Sequence, residues 1–281
     1  MIEISGTTRI FPVIGWPVEQ VKAPTLFNAF FQRHGIDARV IPLKVRPEQY
    51  TAAVRTLMAM ENVGGIFVSI PHKPMSVTAV DEASPRAVLA GACNAIYKGA
   101  DGRILGDLID GEGFIRAFDR TCGDTPFPWQ RASALVVGSG GVGCAVAEAL
   151  ASRGIARLAI CDTRPAQAEA LRERLQAAFP AVAVTVGTPH AAGHDLVVNC
   201  TPLGMHADDP LPVDLAGIAP TAIVADCGMK IETTRLLHAA RELGCRIQKG
   251  KEMMIEQSPL YLELFGWHGI SADAFRTLGA L

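Results

Sequence analysis

A glycine turn near the middle of the chain limits the fold more than any other feature. GSGGVG, at Gly138–Gly143, follows the apolar run ALVV and precedes a small-residue helical pattern, CAVAEALASRG. A second apolar run, RLAIC, then leads to Asp162. A strand, a glycine turn, a helix and an acid about twenty residues on form the complete arrangement by which α/β folds hold a dinucleotide. Gly138 permits the tight turn, Gly140 lets the backbone approach a pyrophosphate, and Gly143 lets helix pack on strand. Free N–H groups and the helix dipole then attract the anion. Because the turn comes so late, the residues before it form a domain of their own, where the chemistry is expected.

The 281 residues can bury one large core or two ordinary ones, and 49% hydrophobic with 19% charged residues make the chain globular. No apolar stretch approaches the roughly 18 residues of a membrane helix. The N-terminal stretch MIEISGTTRIFPVIGWP has no basic region leading into an apolar one, so no signal peptide is expected and the location is read as cytoplasmic. Net charge is −2 with both signs interspersed, which gives neither nucleic acid nor a membrane surface a footprint. Cysteines stand at 93, 122, 144, 161, 200, 227 and 245, an odd number with no C-x-x-C. They read as free thiols in a reducing compartment. Clustered Cys and His are absent, so no metal is expected. The seven histidines show no ligand or triad spacing and read mostly as surface residues.

Strand-like and helical stretches alternate along the first part: strands at 9–15, 38–45 and 65–71, helices at 24–35 and 47–65, a further helix from HKPMSVTAVD, and a hairpin over 94–107. A helix starts at Asp110 and runs towards the polar stretch GDTPFPWQR, near which the chain passes to the second domain. Six β-α repeats follow: ALVVG, RLAICD, VAVTVG, DLVVNC, AIVADC and CRIQKG. The apolar helix KEMMIEQSPLYLELFGW either finishes that sheet or folds back on the first domain. The alternation implies mostly parallel sheets covered by helices, an α/β protein of two domains.

Several residues carry chemistry. An acid at the position of Asp162 accepts ribose hydroxyls and repels a 2′-phosphate, which favours NAD; Arg164 nearby leaves NADP open. Asp162 also fits a simple turn or cap. Lys73 ends SIPHK, at the carboxyl end of a strand, where α/β domains open their cleft; a partly desolvated lysine there can donate and accept a proton. Alone, it reads equally as a surface lysine. Asp110 lies where a strand gives way to a helix, as an N-cap or as the acidic partner of Lys73 in a coupled pair at a domain boundary. NCTPLGM (199–205) ends a strand on the nicotinamide side of the turn. Gln257 is a lone amide in an apolar helix and needs a partner.

Taken together, these residues resemble the shikimate dehydrogenase family. The motifs run in order over most of the chain: VIGWPVEQVKAPTLFNAFF, VSIPHK, GACNAIY, GDLIDGEGF, GSGGVG, NCTPLGM, DCGMKIETTRLL and GKEMMIEQS. The resemblance implies an α/β substrate domain at 1–116, a Rossmann domain at 117–247 and a last segment, 248–281, returning to the first. It implies a cleft between them and reversible hydride transfer between a nicotinamide and a ring ketone or alcohol, on a small cyclic hydroxy acid of the shikimate or quinate type. Lys73 and Asp110 match the catalytic pair. Asn94, Gln257 and Ser69, with Val21, Lys22 and Ala23 of the first loop, match substrate positions. Gly138, Ser139, Gly140, Gly141, Val142, Gly143, Asp162, Thr163 and Arg164 match the cofactor site, as do Cys200, Thr201, Pro202, Met205, Gly228 and Gly250. The family includes monomers and homodimers.

The departures from the family pattern are informative. Val21 and Ala23 stand where a Ser-x-Ser pair binds the shikimate carboxylate. Phe67 and Ser69 replace an asparagine and a threonine. Ala95 replaces a threonine, Leu108-Ile109 an Asn-Thr pair, and Met229 a tyrosine. Each lost polar partner costs about 1–3 kcal/mol, or roughly tenfold to a hundredfold in binding. Weak shikimate binding is therefore expected, with Lys22 as a replacement charge. NADP-using members carry Asn-Arg-Thr where this chain has Cys161-Asp162-Thr163, which agrees with NAD. Two rival readings are an ordinary shikimate dehydrogenase of chorismate and aromatic amino-acid biosynthesis, and a protein that binds a nucleotide or metabolite without reacting.

Overall fold

The computed structural model describes residues 4–279; the first three residues of the N-terminal stretch read above, and the last two of the chain, lie outside the described residues. Contacts divide the chain into two units. One runs to Ile109 and resumes at Ser258, and the other is Asp110–Gln257.

The first unit is built on β1 (Arg9–Gly15), α1 (Ala23–Arg33), β2 (Ala38–Lys44), α2 (Tyr50–Ala59), β3 (Ile66–Val68), α3 (Ser76–Ala79), β4 (Glu82–Ala83), α4 (Pro85–Ala90), β5 (Ala95–Lys98) and β6 (Ile104–Asp107). The sheet order is β2-β1-β3-β5-β6-β4. β1 lies parallel to β2 and β3, while β5 runs antiparallel to β3 and β6. α1 supplies the crossover that parallel neighbours require. Its buried Leu26, Phe27, Phe30 and Phe31 recur at helical spacing, so one apolar face meets the sheet. The hairpin forms as its sequence implies. The helix expected over 47–65 is shorter, a 3₁₀ turn at Pro47–Gln49 and then α2, which ends before the Gly64-Gly65 pair. HKPMSVTAVD yields only the single turn of α3. α4 arises where no element was expected: Ser84 caps it, accepting the Ala87 N–H at 3.3 Å, and Pro85 occupies its first turn.

The second unit contains α5 (Asp110–Cys122), β7 (Ser133–Val137), α6 (Gly141–Ser152), β8 (Arg157–Cys161), α7 (Pro165–Ala178), β9 (Ala183–Val186), β10 (Leu196–Asn199), β11 (Ile223–Asp226), α8 (Arg235–Glu242), β12 (Arg246–Gln248) and the start of α9 (Gly250–Leu264). The order β12-β11-β10-β7-β8-β9 is parallel throughout. This is the doubly wound arrangement, with its switch point between β7 and β10, where ligands meet the carboxyl ends of the strands. Strands covered on both faces read as continuous apolar runs, which is why ALVV and LVV were legible. Leu135, Val197, Val224 and Leu237 lie in one core cluster.

The contact division falls at 109/110 and 257/258, against sequence boundaries of 116/117 and 247/248. The reason lies in α5. A Cβ on Gly111 would stand 2.3 Å from the Ala145 carbonyl of α6, so the two helix backbones touch and α5 goes with the dinucleotide-type sheet. The later part of α9 and α10 (Ala272–Arg276) belong to the first unit. There Tyr261 packs on Phe67 with ring centroids 4.4 Å apart, Phe265 on Phe11 at 4.9 Å, and Phe275 stacks on Phe30 at 4.4 Å. No helix of the described residues is long and apolar enough to cross a membrane.

Candidate functional site

In the second unit, β7 ends at Val137 and the chain turns through Gly138, whose φ is +96°, a conformation that favours glycine. A Cβ on Gly143 would fall 1.8 Å from the Gly138 carbonyl, so no side chain fits there. Gly140 is the opposite case, with nothing within 4 Å of the Cβ position. The turn is closed on the side facing its own strand and open at the second glycine. Gly140 N-caps α6, and the first-turn N–H groups of a helix have no acceptor within it. Gly141 and Val142 form that first turn and are half-buried.

Asp162 closes onto this turn. Its Oδ2 accepts the Ser139 backbone N–H at 2.7 Å and the Ser139 hydroxyl at 2.8 Å. Its Oδ1 accepts the Arg164 N–H at 2.9 Å and faces Arg164 Nε at 3.4 Å. Burial acts to raise the carboxyl, but the bonds from Ser139 and Arg164 prevail and hold it below the usual carboxylate range. The group is an anion at neutral pH. Thr163 beside it is exposed. These residues fit a dinucleotide: donors for the phosphates and a fixed carboxylate for a ribose diol.

A network that the sequence did not disclose shapes the neighbouring loops. Asn199, fully buried at the end of β10, donates from Nδ2 to the Leu203 carbonyl at 2.9 Å and to Asp226 Oδ2 at 3.2 Å. Its Oδ1 accepts the Thr201 N–H and hydroxyl. Asp226 also accepts the Thr234 hydroxyl at 2.7 Å and the Gly228 N–H at 2.8 Å. Burial pushes the Asp226 carboxyl up against the pull of these bonds. The loop carrying Cys200, Thr201, Pro202 and Met205 is thus pinned to the next strand end. Gly228 and Gly250 meet back to back, a Cβ on Gly250 falling 2.3 Å from the Gly228 carbonyl. The sequence carries only two similar strand ends, NC and DC, and not the pairing that joins them.

Asp110 is the first residue of α5 and is buried, placing its carboxylate at a helix N-terminus, where negative charge is stabilised. Gln257 lies in α9, and its Oε1 is buried with no hydrogen-bond partner among the described residues.

In the first unit, the chain continues beyond β3 past Ser69, half-buried, whose N–H donates to the Ile14 carbonyl at 2.8 Å. Lys73 is 8% exposed, which removes the surface-lysine reading. His72 is also buried, unlike the surface position expected of most of the histidines. It stacks on Tyr50 with centroids 4.5 Å apart, and its Nε2 meets the Val45 carbonyl at 2.8 Å. Burial lowers its pKa, so the ring is neutral at physiological pH.

Asn94 is completely buried. Its Oδ1 accepts the Ile109 N–H at 2.9 Å, and its backbone carbonyl accepts the Val68 N–H and the Tyr261 hydroxyl. Its Nδ2 has no partner among the described residues. Of the first-loop residues, Val21 is half-buried, Ala23 is buried, and Lys22 is exposed at the N-cap of α1. Phe67 is buried against Tyr261 and, at 4.8 Å, Phe27.

Residues 13–96 match the family described as shikimate dehydrogenase substrate binding domain. The shikimate dehydrogenase (NADP(+)) of Rhodospirillum rubrum is 36% identical over 99% of this chain and 98% of its own length. A shikimate 5-dehydrogenase of Listeria monocytogenes, solved with shikimate and NAD, superposes with a TM-score of 0.88 at 25% identity, covering 99% of this chain and 98% of that one. A quinate dehydrogenase of Corynebacterium glutamicum, solved with NAD, gives 0.84 at 26% identity over 96% and 98%. The chain belongs to the shikimate dehydrogenase family, oxidoreductases that use NAD(P) and act on CH–OH groups.

Proposed function

We propose that this enzyme interconverts a ring ketone and a ring alcohol on a shikimate- or quinate-like cyclic hydroxy acid, with Lys73 and Asp110 as its catalytic pair and NAD as its preferred cofactor. The observation that carries the reading is a pair of unsatisfied buried amides. Asn94 Nδ2, a donor, and Gln257 Oε1, an acceptor, have no partner in the described residues, and both stand at positions the resemblance assigned to substrate. Leaving such an atom unpaired costs about 1–3 kcal/mol, and a hydroxyl, which both donates and accepts, is the kind of group that satisfies either one.

When bound, the nicotinamide gives or takes the hydride. The protein supplies the rest. Lys73 hands a proton to the oxygen that becomes the alcohol, and removes it in the reverse direction. Asp110 orients the Lys73 ammonium or accepts a substrate hydroxyl. Gly138–Gly143 would hold the pyrophosphate, and the Asp162 anion would take the ribose diol and repel a 2′-phosphate. Phe67, walled by Phe27 and Tyr261, supports a substrate altered near its carboxylate. The unbridged cysteines support a reducing, cytoplasmic setting.

Steady-state rates with NAD⁺ and NADP⁺ on shikimate, quinate and an aminoshikimate-type analogue test this reading. Expected is turnover of a cyclic hydroxy acid, slow on shikimate, with NADH bound more tightly than NADPH. Rapid shikimate turnover would assign the enzyme to chorismate biosynthesis, and binding without hydride transfer on any of them would end the catalytic reading.

A further inference from the structure

Five of the seven cysteines are buried; Cys200 and Cys227 are half-buried. Cys200 follows β10 and Cys227 follows β11. Asn199 pairs with Asp226 in register, so the cysteines occupy the next rung of the same parallel ladder, and the Cys227 N–H donates to the Asn199 carbonyl at 2.9 Å. Their sulfurs are 3.8 Å apart. Neighbouring strands lie roughly 4.7–4.9 Å apart, inside the roughly 4.4–6.8 Å between Cα atoms that a disulfide tolerates. The sulfurs need to approach by only about 1.8 Å to reach bonding distance. Cys200 also abuts the glycine turn: a Cβ on Gly138 would stand 3.1 Å from the Cys200 carbonyl carbon, and one on Gly143 would stand 3.4 Å from the Cys200 Cβ.

We propose that Cys200 and Cys227 form a reversible disulfide, made by exchange with low-molecular-weight disulfides of the glutathione class, and that this bond weakens dinucleotide binding by displacing the loop behind the glycine turn. The Cys227 thiolate attacks one sulfur of the reagent, forming a mixed disulfide and expelling one thiolate. Cys200 then loses its proton to solvent and attacks the Cys227 sulfur, expelling the second. Two protein thiols are oxidised and one reagent disulfide is reduced to two thiols. The hydrogen bond with Cys227, together with burial, holds the Cys200 thiol well above the usual range, so closure is slow at neutral pH and faster in alkali. In a reducing cytosol the pair rests as thiols and closes only when the glutathione pool is oxidised.

The chemical half rests on thiol geometry alone; the affinity half rests on the dinucleotide reading given above. The test incubates the intact protein with oxidised glutathione, alkylates it, and digests it with a protease cutting before aspartate, which separates Cys200 from Cys227 at Asp208, Asp209, Asp214 and Asp226. The expected result is a linked peptide pair that dithiothreitol releases, with NADH binding about tenfold weaker in the oxidised protein. Cys227→Ser should give no linked pair and keep its NADH affinity within about twofold after the same treatment. Both cysteines recovered alkylated, or a linked protein with unchanged NADH affinity, or an equal loss in Cys227→Ser, would overturn the proposal. If the reduced protein binds neither NADH nor NADPH, the functional reading fails and the peptide map alone decides the thiols. The map on the native chain needs no variant.

Discussion

The proposed dinucleotide side and the proposed substrate side of this enzyme are built from different materials. In the second unit the site is made of backbone: a glycine with no room for a side chain, another with open space, and a carboxylate tied to the turn itself. In the first unit it is made of side chains, a buried lysine, a buried amide with one free donor and an aromatic wall. A backbone site depends on a few glycines at fixed spacing and tolerates change elsewhere. A side-chain site can exchange its polar groups one at a time while the fold stays put, and the resemblance implies such exchanges at Phe67, Val21 and Ala23.

Substitutions can pull the two halves apart. Lys73→Ala should lower kcat by roughly 10²–10⁴-fold, as loss of a general acid does, and leave NADH affinity intact in a fluorescence titration. A kcat within about threefold of the parent would break the assignment. Gly143→Ala is the mirror experiment. The new methyl overlaps the Gly138 carbonyl, and NADH binding should weaken roughly a hundredfold or more, with a lowered Tm. Unchanged affinity would show that the turn is not the cofactor cradle.

Asn94→Asp sharpens the substrate half. An acceptor for the Ile109 N–H remains while the unpartnered donor is lost, so KM should rise about tenfold to a hundredfold, and the buried carboxyl should lower Tm as well. A fall in Tm at constant KM would make Asn94 purely structural. The smallest effect is expected for Asp162→Asn, a shift of about tenfold towards NADPH. The proposed preference for NADH has a defined pH course. The folded carboxyl titrates below its usual value, so the anion persists throughout the neutral range. Discrimination is lost only as pH falls through that depressed value, on the acid side of the usual carboxylate range. A preference that already fades near pH 6 would point to a different group.

The same contrast decides what the sequence revealed. β7, β8, β10 and β11 were legible because strands covered on both faces carry unbroken apolar runs, and the glycine turn was legible because its spacing is its mechanism. The Asn199–Asp226–Thr234 network was not, since it depends on β10 and β11 lying in register, which a spacing of 27 residues does not encode. Cys200 and Cys227 stayed apart on paper for the same reason. α4 was missed although Ser84, Pro85 and Gly91 are ordinary cap signals. Helix α2 and the turn at α3 were overextended because periodicity continues past residues where the backbone stops. The burial of His72 was not legible either, since histidine spacing gives no sign of the ring's stacking on Tyr50.

The first unit is discontinuous in the chain, with the whole of Asp110–Gln257 inserted between its parts. During synthesis its sheet can assemble early, but Phe11, Phe30 and Phe67 wait for Tyr261, Phe265 and Phe275, which are made only after the whole of the second unit. A nascent or truncated chain ending at Gln257 therefore shows a bare aromatic face to chaperones. Such a fragment should bind a hydrophobic dye that the full chain ignores, and a fragment that stayed dark would mean that another part of the protein shelters those rings.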